Sequence, residues 1–377
     1  MSRLKFVSVI AVVTCSLALQ AQTPQAPEAL DGVDTVLLLK TGKETFGKSA
    51  FRTIHGSLTY LFASAETKAV FDAAPDDYAV QMNGTCARMG GGTGGNPSNY
   101  AVVDGKIYVF GSDTCRTRFL ASPAKFIPRV PPPMPMSVDA VASGRAILSK
   151  AVAAHGGARL DAMTAYLETQ KAFVATPRPG PAPELRFVWA FPGGARSERT
   201  FAMGGANART MTVATLVTPE GVWNGVVNPE QPLPPLNPAG IRETEMSFGW
   251  HLLPLLRNRS ADRTTIASLG KAAIAGTDVE RVRVRRGGAD VTLNVDPASS
   301  RVHSLSFVGR NRDGEFGEVM ILFADYRDVS GVLVPFAEKG SFEGSPDEFW
   351  TRTLEKVEIN PALDAALFRA PAAGASR

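Results

Sequence analysis

Residues 279–296, VERVRVRRGGADVTLNVD, open a stretch running to Ile359 whose reading decides the fold. Val282 and Val284 alternate with Arg281, Arg283 and Arg285. Val291, Leu293 and Val295 alternate with Asp290, Thr292 and Asn294. Leu305 and Phe307 carry the pattern on, followed by 319–323, 332–334 and 349–359. A period of two puts one face on a core and the other in water. Gly287-Gly288, Asp296-Pro297, Asp313-Gly314 and Ser330-Gly331 supply turns between the runs. An antiparallel meander this long must curl around something to bury its apolar face.

The 377 residues are too many for one ordinary core and predict two domains. A hydrophobic content of 44% with 20% charged residues excludes a disordered chain. The net charge of +4 is small for the length and argues against nucleic acid as a partner. Residues 1–21 read as a secretory signal: Arg3 and Lys5, a short apolar run over 6–19, then Leu19-Gln20-Ala21 with cleavage after Ala21. The run is too short for a membrane span. Thr14 fits poorly before Cys15, which argues against a lipid-attachment site there. The mature chain is therefore expected to be periplasmic or secreted, near a membrane but without a transmembrane helix. Cys86 and Cys115 then remain. In an oxidising compartment two cysteines usually pair, and the closed loop stabilises by about 3–4 kcal/mol. A metal or redox site, and a pair of free thiols, are the alternatives.

Residues 22–29 read as a tether. Residues 30–128 form a first domain with an internal repeat. Tyr60-Leu61-Phe62-Ala63-Ser64 is followed by Phe71, Pro75 and Tyr78; Tyr108-Val109-Phe110-Gly111-Ser112 is followed by Phe119, Pro123 and Phe126, at identical spacings. Each copy reads as a strand, a serine N-cap, a two-turn helix burying one phenylalanine, and a proline stop. Residues 90–95 are a glycine-rich loop. It lacks the Gly-Lys-Ser/Thr ending of a phosphate cradle, so a surface loop is the better reading. Residues 129–138, with Pro131-Pro132-Pro133, form a semi-rigid linker. A second domain spans 139–370 and a tail 371–377. It begins with a helix over 139–155, ended by Gly156-Gly157, with His155 at the favourable end of the dipole. Strands are expected over 165–175, 185–191, 195–201, 211–218 and 221–227. A proline-rich excursion follows over 229–238. Residues 239–259 then form an apolar helix that Pro254 should kink or split.

The first domain resembles the YHS family, on the pattern of tyrosine, phenylalanine, serine, phenylalanine and proline just described and on Tyr100 to Tyr108. Many members of that family carry a cysteine pair around the serine and bind metal. Here Ala63 and Thr67 stand at those places in one copy, and Gly111 and Cys115 in the other, so only Cys115 matches. The second domain resembles exported carriers of outer-membrane lipoproteins, on Ala154-His155-Gly156-Gly157, Asp325 to Gly331 before Val334-Pro335, and 359–368. The two resemblances together imply an α+β chain. A small tandem strand–helix domain precedes a strongly curved antiparallel sheet, an open half-barrel wrapped over helices. Such carriers hold acyl chains in an apolar cavity, which implies a hydrophobic small molecule, lipid or lipidated protein as partner.

The titratable inventory is thin. His55, His155, His251 and His303 form no metal-type spacing, and no Gly-x-Ser-x-Gly elbow occurs. No catalytic residue, cofactor or metal site is assigned, apart from a metal at Cys86 and Cys115 as the lesser alternative. An enzyme would need polar groups converging from distant positions. The apolar inventory is richer. Trp189, Trp223, Phe248, Trp250, Leu252, Leu253, Leu256, Phe307 and Phe323 are the candidates for a hydrophobic cavity or its lid. A packed core is the competing reading for each.

Overall fold

The computed structural model describes residues 26–371, apart from 91–92, 175–182, 204–208, 229–230, 237, 262, 287–288 and 312. The leader (1–21), the start of the tether, the centre of the glycine loop, the Gly287-Gly288 turn and the tail beyond Pro371 lie outside the described residues.

The N-terminal part is one unit built twice. In the first copy a 3-10 turn (Ala29–Gly32) leads through α1 (Thr35–Thr41) to β1 (Lys48–His55) and β2 (Leu58–Phe62). Then come α2 (Ala65–Ala73) and α3 (Pro75–Tyr78). In the second a 3-10 turn (Gln81–Gly84) leads to β3 (Asn96–Val103), β4 (Lys106–Phe110), α4 (Asp113–Ala121) and α5 (Pro123–Phe126). The likeness reaches individual hydrogen bonds. Gly47 N donates to Gly32 O at 2.8 Å, and Gly95 N to Gly84 O at 2.9 Å. Asp34 N donates to Thr45 O, and Cys86 N to Thr93 O. Each 3-10 turn carries two successive left-handed residues, Leu30-Asp31 and Met82-Asn83. Ser64 and Ser112 cap α2 and α4, accepting from backbone N–H groups that the helix leaves unpaired. Phe71 and Phe119 are fully buried against Tyr60 and Tyr108, with ring centroids 4.6 and 5.0 Å apart. The repeat thus begins at the 3-10 turn, and Ala29, read as tether, is buried in the first core.

The linker does not stand off as a spacer. Pro132 O accepts from Arg283 Nη1 at 2.6 Å, and Arg129 pairs with Glu343 at 2.6 Å, so its first half is tied to the sheet and to one of its turns.

The C-terminal part begins with α6 (Val138–Ala154) and α7 (Ala158–Asp161). Five strands follow: β5 (Ala165–Val174), β6 (Glu184–Ala190), β7 (Gly194–Met203), β8 (Arg209–Thr218) and β9 (Gly221–Val226). Helices α8 (Pro238–Gly249) and α9 (Leu252–Arg257) come next. Seven more strands complete the fold: β10 (Thr265–Ile274), β11 (Thr277–Arg286), β12 (Ala289–Val295), β13 (Val302–Arg310), β14 (Phe316–Val329), β15 (Val332–Phe342) and β16 (Ser345–Ile359). All twelve strands form one antiparallel curved sheet in the order β10-β11-β12-β13-β14-β15-β16-β5-β6-β7-β8-β9. The last strand pairs with the first, from Trp350 opposite Val174 to Ile359 opposite Tyr166. The edges β9 and β10 are not paired with each other, so the sheet stays open. Residues 234–236 cover the β9 edge, where Asn224 N donates to Pro234 O and Leu236 N to Val222 O. Helix α6 lies on β10, close enough that a Cβ on Gly144 would sit 2.6 Å from the Ala267 carbonyl carbon.

Three expectations change. The meander starts at Thr265, not Val279, because Ala267, Ser268 and Gly270 in β10 hide the alternation. The helix over 239–259 breaks at Trp250-His251, not at Pro254. Pro254 sits in the first turn of α9, where its missing N–H would be unpaired in any case. His155 is no charged helix end: it is fully buried. Its Nδ1 bonds Leu333 O at 2.9 Å, and Val302 N donates to its Nε2 at 3.3 Å, which ties α6 to β13 and β15. The acceptor role of Nε2 places the proton on Nδ1 and makes the ring neutral. Burial lowers its pKa to about 4 from 6.5.

Below pH 6.5 the unfolded chain therefore binds a proton at His155 that the folded chain refuses, and stability falls as the pH drops toward 4. The expected loss is up to about 3 kcal/mol. Urea unfolding of wild type and His155→Gln at pH 7 and pH 4 measures it: the gap between them should shrink at the lower pH.

Candidate ligand-binding site

Strand register decides which side chains face the inside of the curved sheet. Trp189 on β6 stands opposite Tyr166 on β5, and Tyr166 opposite Ile359 on β16. The next row is Phe187, Glu168, Val357; the next is Leu185, Gln170, Leu354. Further along, Arg352 stands opposite Glu338, and Glu338 opposite Phe323. Helix α9 covers this face. All of Leu252, Leu253, Pro254, Leu255 and Leu256 are buried, and the four leucines share one cluster with Trp189, Phe248, Phe323, Phe336, Val284 and Leu305. Trp250 and Phe307 are half-buried beside it and stack on each other at 5.8 Å. Arg259 holds the end of α9 to Asp161 of α7, and Arg257 Nε donates to Met163 O at 3.1 Å.

Of the nine expected cavity or lid residues, eight come together: Trp189, Phe248, Trp250, Leu252, Leu253, Leu256, Phe307 and Phe323. Trp223 does not. It pairs with Leu216, on the face opposite to Val217, Ala195 and Trp189, because adjacent strand residues point to opposite sides. It lies beside the covering segment at Pro235.

A group of polar residues lies within this apolar face, and sequence reading passed it over. Glu168 is 6% exposed and His251 4%. Glu168 Oε2 accepts from the Tyr166 hydroxyl at 2.6 Å; its Oε1 accepts from Gln170 Nε2 at 2.8 Å and lies 3.2 Å from His251 Nδ1. Burial pushes this carboxyl up, but its bonds with His251 and Tyr166 more than offset that and hold it below the usual range. Burial keeps His251 neutral by lowering its pKa. His251 occupies the break between α8 and α9. Its ring stacks on Trp250 at 4.4 Å and packs on Phe187 at 4.5 Å and Trp189 at 4.8 Å. Arg352 lies over Trp250 and Trp350 and pairs with Glu338 at 3.5 Å. Gly340 is the seat of Trp350: a Cβ there would come within 2.0 Å of the indole. Burial raises the Glu338 pKa to about 7. Gln170 Oε1, His251 Nε2, Glu338 Oε2 and Arg352 Nη1 are buried without a hydrogen-bond partner among the described residues. No spacing rule links 168, 170, 251, 338 and 352; strand register brings four of them together and the packing of the cover brings His251.

The disulfide expected between Cys86 and Cys115 is not formed: both are buried free thiols. The repeat shows how they meet. Cys86 takes the place of Asp34, and Cys115 that of Thr67. In the first copy Asp34 Oδ2 accepts from Ala63 N at 2.9 Å, beside Ser64. In the second, Cys115 lies within hydrogen-bond reach of Cys86, Ser112 and Arg88. Burial pushes its thiol up, but these three neighbours outweigh it and leave the pKa below the ordinary value. Among the described residues no cluster of three or more His, Cys, Asp or Glu side chains is arranged for a metal.

The fold and site define a class: an open antiparallel sheet with an apolar inner face under a short helical cover. No protein-family model matches the chain. No curated protein matches it. Solved structures similar to it include a LolA superfamily protein from Nitrosomonas europaea, at 13% identity and TM-score 0.40 over 60% of this chain and 97% of that one. Others are a Vibrio parahaemolyticus domain named for outer-membrane lipoprotein sorting (11%, TM-score 0.38, 58% and 95%) and a DUF1329 family protein from Desulfovibrio piger (10%, TM-score 0.33, 60% and 97%). At these scores the likeness carries no argument about ligand or mechanism. No helix among the described residues is long and apolar enough to cross a membrane.

Glu338 gives the site a testable pH signature. Its folded pKa of about 7 exceeds the ordinary 4.5, so above pH 4.5 the unfolded chain releases a proton that the folded chain retains. Its contribution is present below pH 4.5 and lost as the pH rises through 7. Glu338→Gln removes that loss. Its melting temperature should rise relative to wild type between pH 5 and pH 7.5, by the equivalent of up to about 3 kcal/mol.

Proposed function

We propose that the protein is an exported, non-catalytic binding protein that holds a hydrophobic ligand, an acyl chain or a lipidated partner, against the inner face of the sheet. One observation carries the reading. The apolar face is closed by helices, with α6 over β10 and β11 and the six-residue α9 supplying four of the buried leucines, and not by a second sheet or by closure of the barrel. A helix that short has little stability of its own and is held by what it packs on. A ligand offering the same apolar contact can take its place. The break at Trp250-His251 and the proline-rich run before α8 provide the points of bending. Trp189, Phe248, Trp250, Leu252, Leu253, Leu256, Phe307 and Phe323 line the site in this reading, and Trp223 does not. The leader over 1–21 supports export, and the mature chain works beside a membrane. Catalysis is the weaker reading. His251 Nε2 bonds to no protein hydroxyl or thiol among the described residues, so the Glu168–His251 pair holds no side-chain nucleophile there.

The test is extraction of the purified full-length chain with organic solvent, together with titration of an environment-sensitive fluorescent lipid. Wild type is expected to bind the lipid, Trp250→Ala to bind it several-fold more weakly, and Leu253→Asp not at all. A chain that neither yields a bound apolar compound nor takes up the probe contradicts the proposal.

A second reading concerns the N-terminal module, taken as a degenerate tandem of YHS type. The exchange of Asp34 and Thr67 for Cys86 and Cys115 at two positions of the repeat favours a thiol- or soft-metal-responsive site in the second copy. Two thiolates suit a soft ion such as monovalent copper and few others. Thiol titration of denatured, unreduced protein should find two free thiols. Finding none would show a disulfide and remove the metal reading.

A further inference from the structure

The polar residues under α9 restrict which ligand fits. A face meant only for hydrocarbon has no use for a buried carboxylate, a histidine, a guanidinium and a second carboxyl, since each costs free energy to desolvate. Glu168 is fully engaged: three donors converge on its two oxygens. Its partners are not. Gln170 and His251 both bond the same oxygen, Oε1, and so stand side by side, with Gln170 Oε1 and His251 Nε2 still without a donor. With Nδ1 turned to the carboxylate, the neutral His251 ring carries its proton there and presents Nε2 as an acceptor. Arg352 and Glu338 face each other at 3.5 Å, with no hydrogen bond from Arg352 Nη1 or to Glu338 Oε2. The unmet need at Gln170 and His251 is for donors.

Charge narrows the class further. Glu168 is ionised and Arg352 cationic, and together they cancel. Glu338, raised to about 7, adds part of a negative charge near neutrality. A carboxylate or phosphate entering here would meet two carboxyls and only one guanidinium, already laid between two indoles.

We infer that the Glu168–Gln170–His251 group is a head-group site for an amphipathic ligand, and that it selects a neutral head bearing hydroxyl donors over an anionic head or a head without donors. The inference rests on the carrier reading above and adds the chemical class of the ligand. The ligand's hydroxyls donate to His251 Nε2 and Gln170 Oε1, and its chain lies where the α9 leucines now pack. His251 is placed for this because it stands at the break in the cover, tied to Glu168 and next to the leucines that the chain would replace.

The experiment is displacement of a fluorescent hydrophobic probe from the full-length protein at pH 8 by three compounds of one chain length. These are a monoacylglycerol, the corresponding fatty-acid anion and its methyl ester. The glyceride should displace the probe at about tenfold lower concentration than either of the others, the worth of one or two hydrogen bonds to buried acceptors. His251→Phe should abolish that preference, since the substitution removes the Nε2 acceptor and keeps an aromatic ring. Gln170→Met, close in size, reads the same quantity if His251→Phe does not fold. If the acid or the ester competes as well as the glyceride, or if the preference survives in both variants, the head-group inference is overturned while the carrier reading stands. If the protein takes up no probe, both fall together.

Discussion

The pairing of Ala165–Val174 with Ser345–Ile359 is the constraint on which the rest of the C-terminal structure depends. It joins the first strand of the module to the last and fuses two meanders into one sheet. It also leaves the free edges at β9 and β10, which are consecutive strands in the chain. The connection between those edges is long, from Val226 to Thr265, and it carries α8 and α9. A sheet closed elsewhere would have needed no cover. This one has an open inner face, and the chain that crosses the opening supplies the leucines that fill it.

The polar group on that face is costly. A buried carboxylate persists only with full hydrogen bonding, and Tyr166, Gln170 and His251 provide it for Glu168. Arg352 is partly compensated by Glu338 and by the faces of Trp250 and Trp350. Two members of the arrangement, Trp250 and His251, come from the cover, and the rest come from the sheet. Cover and sheet are thus joined by apolar packing and by a polar contact at the same point, the break between α8 and α9. Groups that would otherwise stabilise the covered form are the same groups a ligand would have to satisfy on displacing it.

The N-terminal repeat shows what two copies of one unit can do with one position. Asp34 in the first copy is a structural carboxylate that caps α1 and accepts from Ala63 N. Its counterpart Cys86 meets Cys115, and residues 87–90 after it form turns where Asp34 starts a helix. The second copy also touches the sheet: Arg310 Nη1 donates to Arg88 O at 3.0 Å, and Lys125 pairs with Glu315 at 2.9 Å. The turn Gln81–Gly84 lies against α8. The second copy thus borders both the sheet and the helical cover.

Much of this was legible in the residues themselves, because it depends on neighbours in the chain. Alternation between Val282 and Val295 marks half-buried strands whatever they pack on. Ser64 and Ser112 cap helices through N–H groups three positions away. The twofold spacing of tyrosine, serine, phenylalanine and proline reveals the repeat. The leucines at 252–256 announce an apolar surface. What only the tertiary structure decided depends on register and on sides. Trp223 looked like Trp189 until pairing put it on the other face. Glu168 drew no notice in the sequence, because a polar residue at an alternating strand position is ordinarily in water. Its burial follows from His251 arriving from a helix 83 positions later, at a break whose site Pro254 did not set. Local rules act through the backbone over a few residues. The site is made by strand pairing and packing between segments far apart in sequence, and no short stretch carries that information.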